Sequence, residues 1–291
     1  MPEDLEFWVI AGSGILGVAI FAIGMVIRAT VAKAPAGPPS LPLGPGLGGW
    51  RVSDKIYRGI DLGIVGFLML VYGSPVFLDA AGKMPEGPVE IGMAEVVSTI
   101  AMQFFMTAML VGAVAWRKNP VEWLGLKWRL WPMVVLIAPV AVAFTWTVVI
   151  ALEETGFNKW LLDVTGGAET QEVVDAFGKA ESPLLFGMLA LMAAVIAPVV
   201  EEIIFRGYLY PVAKKYSGRI AGILFSSLFF AMAHPNAISL VPLFVLAVLL
   251  ALSYEVTGSI WAPISIHVLF NSATVFAQFA HRMNWIQLPE G

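Results

Sequence analysis

The chain is organised around seven consecutive residues, Glu201-Glu202-Ile203-Ile204-Phe205-Arg206-Gly207. They follow an unbroken apolar run, residues 184–200. Charged side chains inside a spanning helix are costly and usually face a polar cavity. On a helix, Glu202 and Arg206 stand four apart and can pair, whereas Glu201 points about 100° away from Glu202. A buried ion pair that only locks two helices would explain Glu202 and Arg206, but it would leave Glu201 unexplained.

The composition is that of an integral membrane protein. The 291 residues are 58% hydrophobic and only 13% charged, and their mean hydropathy is +0.81. Apolar segments of about 20 residues, long enough to cross the hydrocarbon core, recur along the chain. They predict an all-α fold, a polytopic bundle of about eight transmembrane helices. The predicted spans are residues 8–27, 60–78, 93–116, 131–152, a fifth that begins at 184, 220–233, 238–254 and 260–280.

Some classes of function are excluded by what the composition lacks. The sequence contains no cysteine, which excludes disulfides, thiolate zinc sites and cysteine nucleophiles. It also lacks the basic, aromatic-interleaved patch that typically binds nucleic acid. We therefore expect the lipid bilayer, and no nucleic acid, as a partner of this chain.

The sequence divides at residue 59. Residues 1–59 hold the first span and a Pro/Gly-rich cytoplasmic linker, residues 34–49, whose five prolines and missing hydrophobic periodicity predict irregular structure. Residues 1–7 carry three acids and no basic residue. That is the wrong sign for a cleaved signal peptide, so the first span is expected to be retained. Residues 60–291 are predicted to form a helical membrane domain.

The basic residues predict the orientation in the membrane. With the N-terminus outside, 13 of the 17 Lys and Arg residues fall in cytoplasmic segments, as the positive-inside rule favours. Eight spans then place both termini outside. The acidic loop 153–181 falls on the outer side, as expected of a translocated segment. We expect the cytoplasmic membrane of a prokaryote, with the active site towards the cytoplasm.

Three further polar residues, His234, His267 and Asn271, lie in or at the ends of predicted spans. His267 and Asn271 are four apart and share a helix face. At 1.5 Å per residue, Glu201 and His234 each lie about 24 Å from the predicted turn at 217–218, and His267 lies about 13 Å from the turn at 257–258. These depths agree if the first of these turns projects about 10 Å beyond the membrane surface. The sequence therefore predicts one polar layer, without establishing lateral contact.

Two prolines flank this layer. Pro198 cannot donate a hydrogen bond within its helix, so the fifth span should kink or loosen just before Glu201. Pro235 disfavours helical geometry at His234 and should end or bend the sixth span there. Breaks of this kind at membrane depth are tolerated where they line a cavity.

Three short motifs resemble those of a known family. Residues 201–206 match the Glu-Glu-x-x-x-Arg motif of the CAAX protease and bacteriocin-processing (CPBP) family of intramembrane glutamate proteases, related to Rce1-type CAAX endopeptidases. The family's Phe-x-x-x-His and His-x-x-x-Asn motifs are matched by residues 230–234 and 267–271. The motif Leu124-Gly125-Leu126 resembles an element common in bacterial members. The motifs occur in the family's order, and the resemblance covers a protease-like core at about residues 123–280.

The resemblance implies a role for each motif residue. Glu201 would be the general base that activates water, since partial desolvation raises the pKa of a carboxyl group towards the operating pH. His234 would hold the same water or shuttle its proton. His267 and Asn271 would donate hydrogen bonds to the oxyanion. Glu202 and Arg206 would support these four residues. The implied substrate is a peptide or protein, membrane-associated and in some relatives lipidated, and no cofactor is implied.

Three alternatives remain open at the level of sequence. Glu201, His234 and His267 could form a His₂Glu zinc site with water in the fourth position, although the chain lacks a His-Glu-x-x-His run. A non-proteolytic membrane scaffold or immunity-type protein of the same family is a second alternative. A scaffold would not need the complete set of Glu201, His234, His267 and Asn271. A proton-coupled transporter is the third, and the spans lack the repeat symmetry that it would favour.

Overall fold

The computed structural model describes residues 2–31, 52–80, 91–128, 131–166, 172–180 and 182–286, so the predicted linker at 34–49 lies outside the described residues. Within these ranges the chain is helical and contains no strand, which confirms the all-α prediction. The helices are α1 (Pro2–Val31), α2 (Gly59–Ala80), α3 (Met93–Ala115), α4 (Pro120–Trp123), α5 (Val134–Glu154), α6 (Phe157–Thr165), α7 (Glu172–Lys179), α8 (Pro183–Ser217), α9 (Arg219–Met232), α10 (Ala237–Thr257) and α11 (Trp261–Arg282).

Eight of these helices coincide with the predicted spans. Six of them are long and apolar enough to cross a membrane, namely α1, α2, α3, α5 with the short 3₁₀ turn before it, α8 and α10. Helix α9 is apolar but has only 14 residues. Helix α11 has the length of a span, 22 residues, but carries the polar residues of the last motif. The count of about eight is therefore consistent with the described helices.

Helix α8 contains the central motif and is not a regular α-helix. It consists of three α-helical segments joined by two π-helical turns, Met192–Ile196 and Ile203–Leu209. In the first turn the Ala197 amide donates to the Met192 carbonyl, one residue further back than in an α-helix. Pro198 follows directly, which confirms the loosening predicted before Glu201. Single π turns of this kind are frequently found at functional sites.

The ends of α8 and α9 also follow from local sequence. Ser182 caps α8, because its side chain accepts a hydrogen bond from the Leu185 amide and Pro183 occupies the first turn. Helix α9 ends at Met232, and His234 lies in the turn before Pro235, as predicted. The chain thus presents His234 from a helix end and Glu201 from a helix interior.

The core surrounds the second half of α8. Helix α9 packs between α1, α10 and the last turns of α8, and it is buried on nearly every face from Gly222 to Met232. Large aromatic side chains fill the space between these helices, among them Phe205, Phe229 and Phe230, each at most 2% exposed. Helix α11 packs against α5, α10 and the first π turn. This packing holds the motif-bearing segments of α8, α9 and α11 side by side.

Candidate active site

The two charges four apart on α8 form a buried ion pair, as predicted. Arg206 Nη1 lies 2.9 Å from Glu202 Oε1, and neither side chain is more than 1% exposed. Arg206 Nη2 also donates to the Ala247 carbonyl of α10. Burial of an ion pair is costly unless its hydrogen bonds are satisfied, and Arg206 obtains a second partner here. The pair therefore ties the second π turn of α8 to α10.

His267 of α11 links the two carboxylates of the motif. Its Nδ1 lies 2.9 Å from Glu202 Oε1, while its Nε2 lies 3.8 Å from Glu201 Oε2. The imidazole is 3% exposed, whereas the Glu201 side chain is 15% exposed and Glu202 is fully buried. The predicted common depth of Glu201 and His267 is thus confirmed. Of the two carboxylates, Glu201 is therefore the exposed one.

His234 joins this group through the ring of Phe230. Its Nδ1 lies 2.9 Å from the Phe230 carbonyl oxygen, and its ring centroid is 4.9 Å from the Phe230 ring. The same ring meets His267 edge-on at 5.6 Å and lies under the Arg206 guanidinium at 4.5 Å. A cation over an aromatic face is stabilised by the ring quadrupole. Phe230 therefore packs between the two histidines and Arg206.

Asn271 is held by the backbone break that precedes Glu201. Its Nδ2 donates to the Ala193 carbonyl at 2.8 Å. That carbonyl is left without an intrahelical partner, because the Ala197 amide donates to Met192 instead and Pro198 has no N–H. One hydrogen of the amide is used here, and a second remains available. The sequence located Asn271 in the polar layer but did not predict this contact.

Glu202 Oε1 connects α8 with α11, since it accepts hydrogen bonds from both Arg206 and His267. Its other oxygen, Oε2, is buried and has no hydrogen-bond partner among the described residues. When Nδ1 of His267 donates to this carboxylate, Nε2 is the ring nitrogen that faces Glu201. The arrangement places the Glu201 carboxylate and this imidazole nitrogen 3.8 Å apart.

The zinc alternative requires three side chains that could bind one metal ion. Across the part of the chain that the structure describes, no group of three or more His, Asp or Glu side chains is placed to hold a metal ion. His267 directs one ring nitrogen to Glu202 and the other towards Glu201, and His234 contacts the site through Phe230. Metal independence itself stays a prediction, tested below.

A second polar network, which the sequence did not reveal, adjoins the second π turn. Asp61 of α2 is fully buried and forms two hydrogen bonds with Arg117, which raise the pKa of the Arg117 guanidinium. It also accepts a hydrogen bond from the Tyr208 hydroxyl. Nearby, Tyr57 and Trp123 donate to the Gly207 carbonyl. Burial raises the pKa of Tyr57 well above its ordinary value, so its hydroxyl keeps the proton that it donates.

The part of the chain that contains the three motifs is similar to known proteins. Residues 183–273 match the model of a family described as Type II CAAX prenyl endopeptidase Rce1-like. A Bacillus subtilis (strain 168) protein named "Putative membrane peptidase YdiL" is 25% identical over 100 residues, 34% of this chain and 41% of the relative. The match spans less than half of either protein. No solved structure matches the chain.

Proposed function

We infer that residues 183–273 form an Rce1-like domain of the CAAX protease and bacteriocin-processing family, as the three motifs predict, because they match that family's model and the chain is similar to a relative named as a membrane peptidase. From this premise we propose that the chain is an intramembrane endopeptidase in which Glu201 activates the attacking water. The observation that carries the proposal is the difference between the two adjacent carboxylates. Glu202 is fully buried and its Oε1 accepts from both Arg206 and His267, whereas Glu201 is 15% exposed beside His267 Nε2. A general base must be reachable by water and free to take a proton.

The remaining motif residues receive complementary roles. Water adds to the carbonyl carbon as Glu201 takes its proton, and the carbonyl oxygen becomes an oxyanion. His267 Nε2–H and the second Asn271 N–H donate to that oxyanion. His234, beside the same Phe230 ring, holds the water or delivers the proton to the departing amine.

Glu202 and Arg206 support this chemistry without taking part in it. Glu202 accepts from His267 Nδ1 and so fixes which way the imidazole points. Arg206 holds Glu202 and anchors it to α10. Such partners act by restricting the orientation of the reacting groups. The proposed substrate is a peptide or protein that reaches this site from the bilayer, and a lipid-modified segment fits that route.

Hydrolysis in oxygen-18 water tests the proposed function. The purified protein in detergent, incubated with a peptide library, should release fragments that carry one oxygen-18 atom in each new carboxyl terminus. Mass spectrometry of the products detects this label directly. The Glu201→Gln variant is the matched control for contaminating peptidases. Labelled products that form with the wild type and not with Glu201→Gln would support the proposal. If neither soluble nor lipidated peptides give such products, the non-proteolytic scaffold would be the better interpretation.

Removal of metal separates the glutamate mechanism from the zinc alternative. We expect peptide hydrolysis to persist after exhaustive chelation, because Glu201 alone supplies the base. Elemental analysis of the purified protein should find no stoichiometric zinc. One tightly bound zinc per chain, whose removal abolishes hydrolysis and whose return restores it, would assign Glu201, His234 and His267 to a metal site instead.

Cysteine labelling tests the proposed orientation, in which the site opens to the cytoplasm and both termini lie outside. Glu122 and Asp163 are exposed carboxylates on opposite predicted sides of the membrane. Because the chain has no cysteine of its own, Glu122→Cys and Asp163→Cys each introduce a single thiol with the same change in charge. In intact cells an impermeant thiol reagent should label position 163 and spare position 122. The reverse pattern would invert the protein and move its substrates to the outer side.

A further inference from the structure

The Gly207 carbonyl lies inside the second π turn of α8, Ile203–Leu209, and lacks the donor that an α-helix would give it. In an α-helix the Gly207 carbonyl would accept from the amide four residues on, but that residue is Pro211, which has no N–H. Tyr57 and Trp123 supply the missing donors: the Tyr57 hydroxyl lies 2.8 Å and Trp123 Nε1 2.9 Å from the Gly207 oxygen. A buried carbonyl without a partner is unfavourable, so these contacts determine whether the turn keeps its shape.

Tyr57 and Trp123 also contact each other. Trp123 Nε1 lies 2.9 Å from the Tyr57 hydroxyl oxygen, so one indole N–H is shared between that oxygen and the Gly207 carbonyl. Tyr57 is 0% exposed and Trp123 is 7% exposed. A side chain at position 207 would disturb this packing, since a Cβ there would stand 2.8 Å from Leu124 Cδ2. The three groups form a closed, buried triangle of hydrogen bonds.

The triangle adjoins the proposed catalytic machinery. Gly207 directly follows Arg206, whose guanidinium holds Glu202, and Glu202 in turn holds His267 Nδ1. Neither Tyr57 nor Trp123 lies in the residues that match the family model. A second contact from the same N-terminal segment reaches the next residue, because Asp61 accepts from the Tyr208 hydroxyl. Residues 57–61 therefore contact α8 at two consecutive positions immediately after Arg206.

We propose that Tyr57 and Trp123 are positioning residues of the active site, which act through the Gly207 carbonyl on Arg206, Glu202 and His267. This inference rests on the proposed peptidase function. Neither residue touches the reacting atoms. Their hydrogen bonds fix the second π turn, and the turn fixes the direction of the Arg206 side chain. Small misplacements of catalytic groups are expensive in rate, so loss of either donor slows turnover more than it weakens substrate binding.

The test is Tyr57→Phe, with Tyr210→Phe as its matched control. Both changes remove one buried phenolic hydroxyl, but that of Tyr210 donates to Glu255, which pairs with Lys214 and Arg219 rather than with a motif residue among the described contacts. We expect Tyr57→Phe to lower kcat by about tenfold with KM within about twofold, since a misplacement of 1 Å can cost about 100-fold. Tyr210→Phe should leave kcat close to the wild-type value. Equal losses of kcat in the two variants would mean that the loss of any buried hydroxyl in this region slows turnover. That result would overturn the inference.

A double-mutant cycle and hydrogen exchange make the test independent of a single variant. Because Tyr57 and Trp123 act on one carbonyl, Tyr57→Phe and Trp123→Phe should be non-additive, and the double variant should be about as slow as the slower single one. Amide exchange of residues 203–210 should rise in Tyr57→Phe and not in Tyr210→Phe. Additive losses with unchanged exchange would refute the inference. If the wild type hydrolyses no peptide while exchange rises as expected, the proposed function fails and the positioning of the turn stands.

Discussion

Glu201→Gln should lower peptide hydrolysis by about 100- to 10,000-fold, the usual contribution of a general base, and so bring it to background. The glutamine keeps the size and hydrogen-bonding capacity of the side chain but cannot take a proton from water. Glu201 is partly exposed, and its Oε2 lies 3.8 Å from His267 Nε2, beyond hydrogen-bond distance. Its charge is therefore less engaged than that of Glu202, and the free energy of unfolding should change much less than it does in Glu202→Gln. Turnover and thermal unfolding, measured on the same preparation, test both statements.

Glu202→Gln is the matched control, because the same chemical change is made one residue further along α8. Glu202 Oε1 accepts from Arg206 and His267 in a fully buried position. Removal of its charge leaves the Arg206 guanidinium buried without a counter-ion, which typically costs about 3–5 kcal/mol. We therefore expect Glu202→Gln to lose stability far more than Glu201→Gln does. Full activity in Glu201→Gln, or a stability loss as large as that of Glu202→Gln, would contradict the division of roles between the two carboxylates.

The sequence predicted the helices and the polar layer well because both depend on local rules. Length and hydropathy are sufficient to locate spanning helices, and the spacing of four explains the Glu202–Arg206 pair. Pro198 and Pro235 act on their own helices, so their effects could also be foreseen. The first π turn and the end of α9 lie where these prolines predict them.

The sequence could not predict which side chains from distant segments meet the atoms that the prolines leave free. Asn271 and the Ala193 carbonyl are 78 residues apart, and Tyr57 and the Gly207 carbonyl are 150 apart. Pro211 was the available signal for the second case, since a proline four residues after Gly207 removes the amide that would donate to that carbonyl in an α-helix. This signal indicates that an acceptor needs a donor but does not identify the donor. Only the packing of α4 and of the segment before α2 against α8 determines it.

Two acidic residues near the ends of predicted spans show the same limit. The positions of Asp61, Glu95 and Glu255 near span ends predict carboxylates that extend to the headgroup layer. Glu95 is exposed, but the structure buries Asp61 and Glu255 completely. Asp61 is paired with Arg117, and Glu255 with Lys214. A buried carboxylate requires such a partner, and each partner comes from a distant part of the chain: Arg117 lies in the turn after α3 and Lys214 lies in α8. The pairing therefore depends on tertiary contacts that hydropathy does not encode.

His267→Ala and Asn271→Ala should each lower kcat by about 100- to 1,000-fold, the usual cost of one lost oxyanion donor. KM should change much less, because the oxyanion exists only in the transition state. Steady-state kinetics with one peptide substrate separate the two parameters. If either change altered only KM, that residue would be assigned to substrate positioning. For His267 the result needs a further variant, because alanine also removes the contact between Nδ1 and Glu202.

His267→Asn and His267→Gln separate the two ring nitrogens. In His267→Asn the amide nitrogen takes a position near that of Nδ1 and can still donate to Glu202. In His267→Gln the amide nitrogen reaches the position of Nε2, the ring nitrogen that faces Glu201. If His267 acts as an oxyanion donor, His267→Gln should recover a measurable part of kcat over His267→Ala, and His267→Asn should recover stability without turnover. Recovery of kcat by asparagine alone would mean that His267 serves only to hold Glu202. In that case Asn271 would be left as the oxyanion donor, and the proposed role of Nε2 would be wrong.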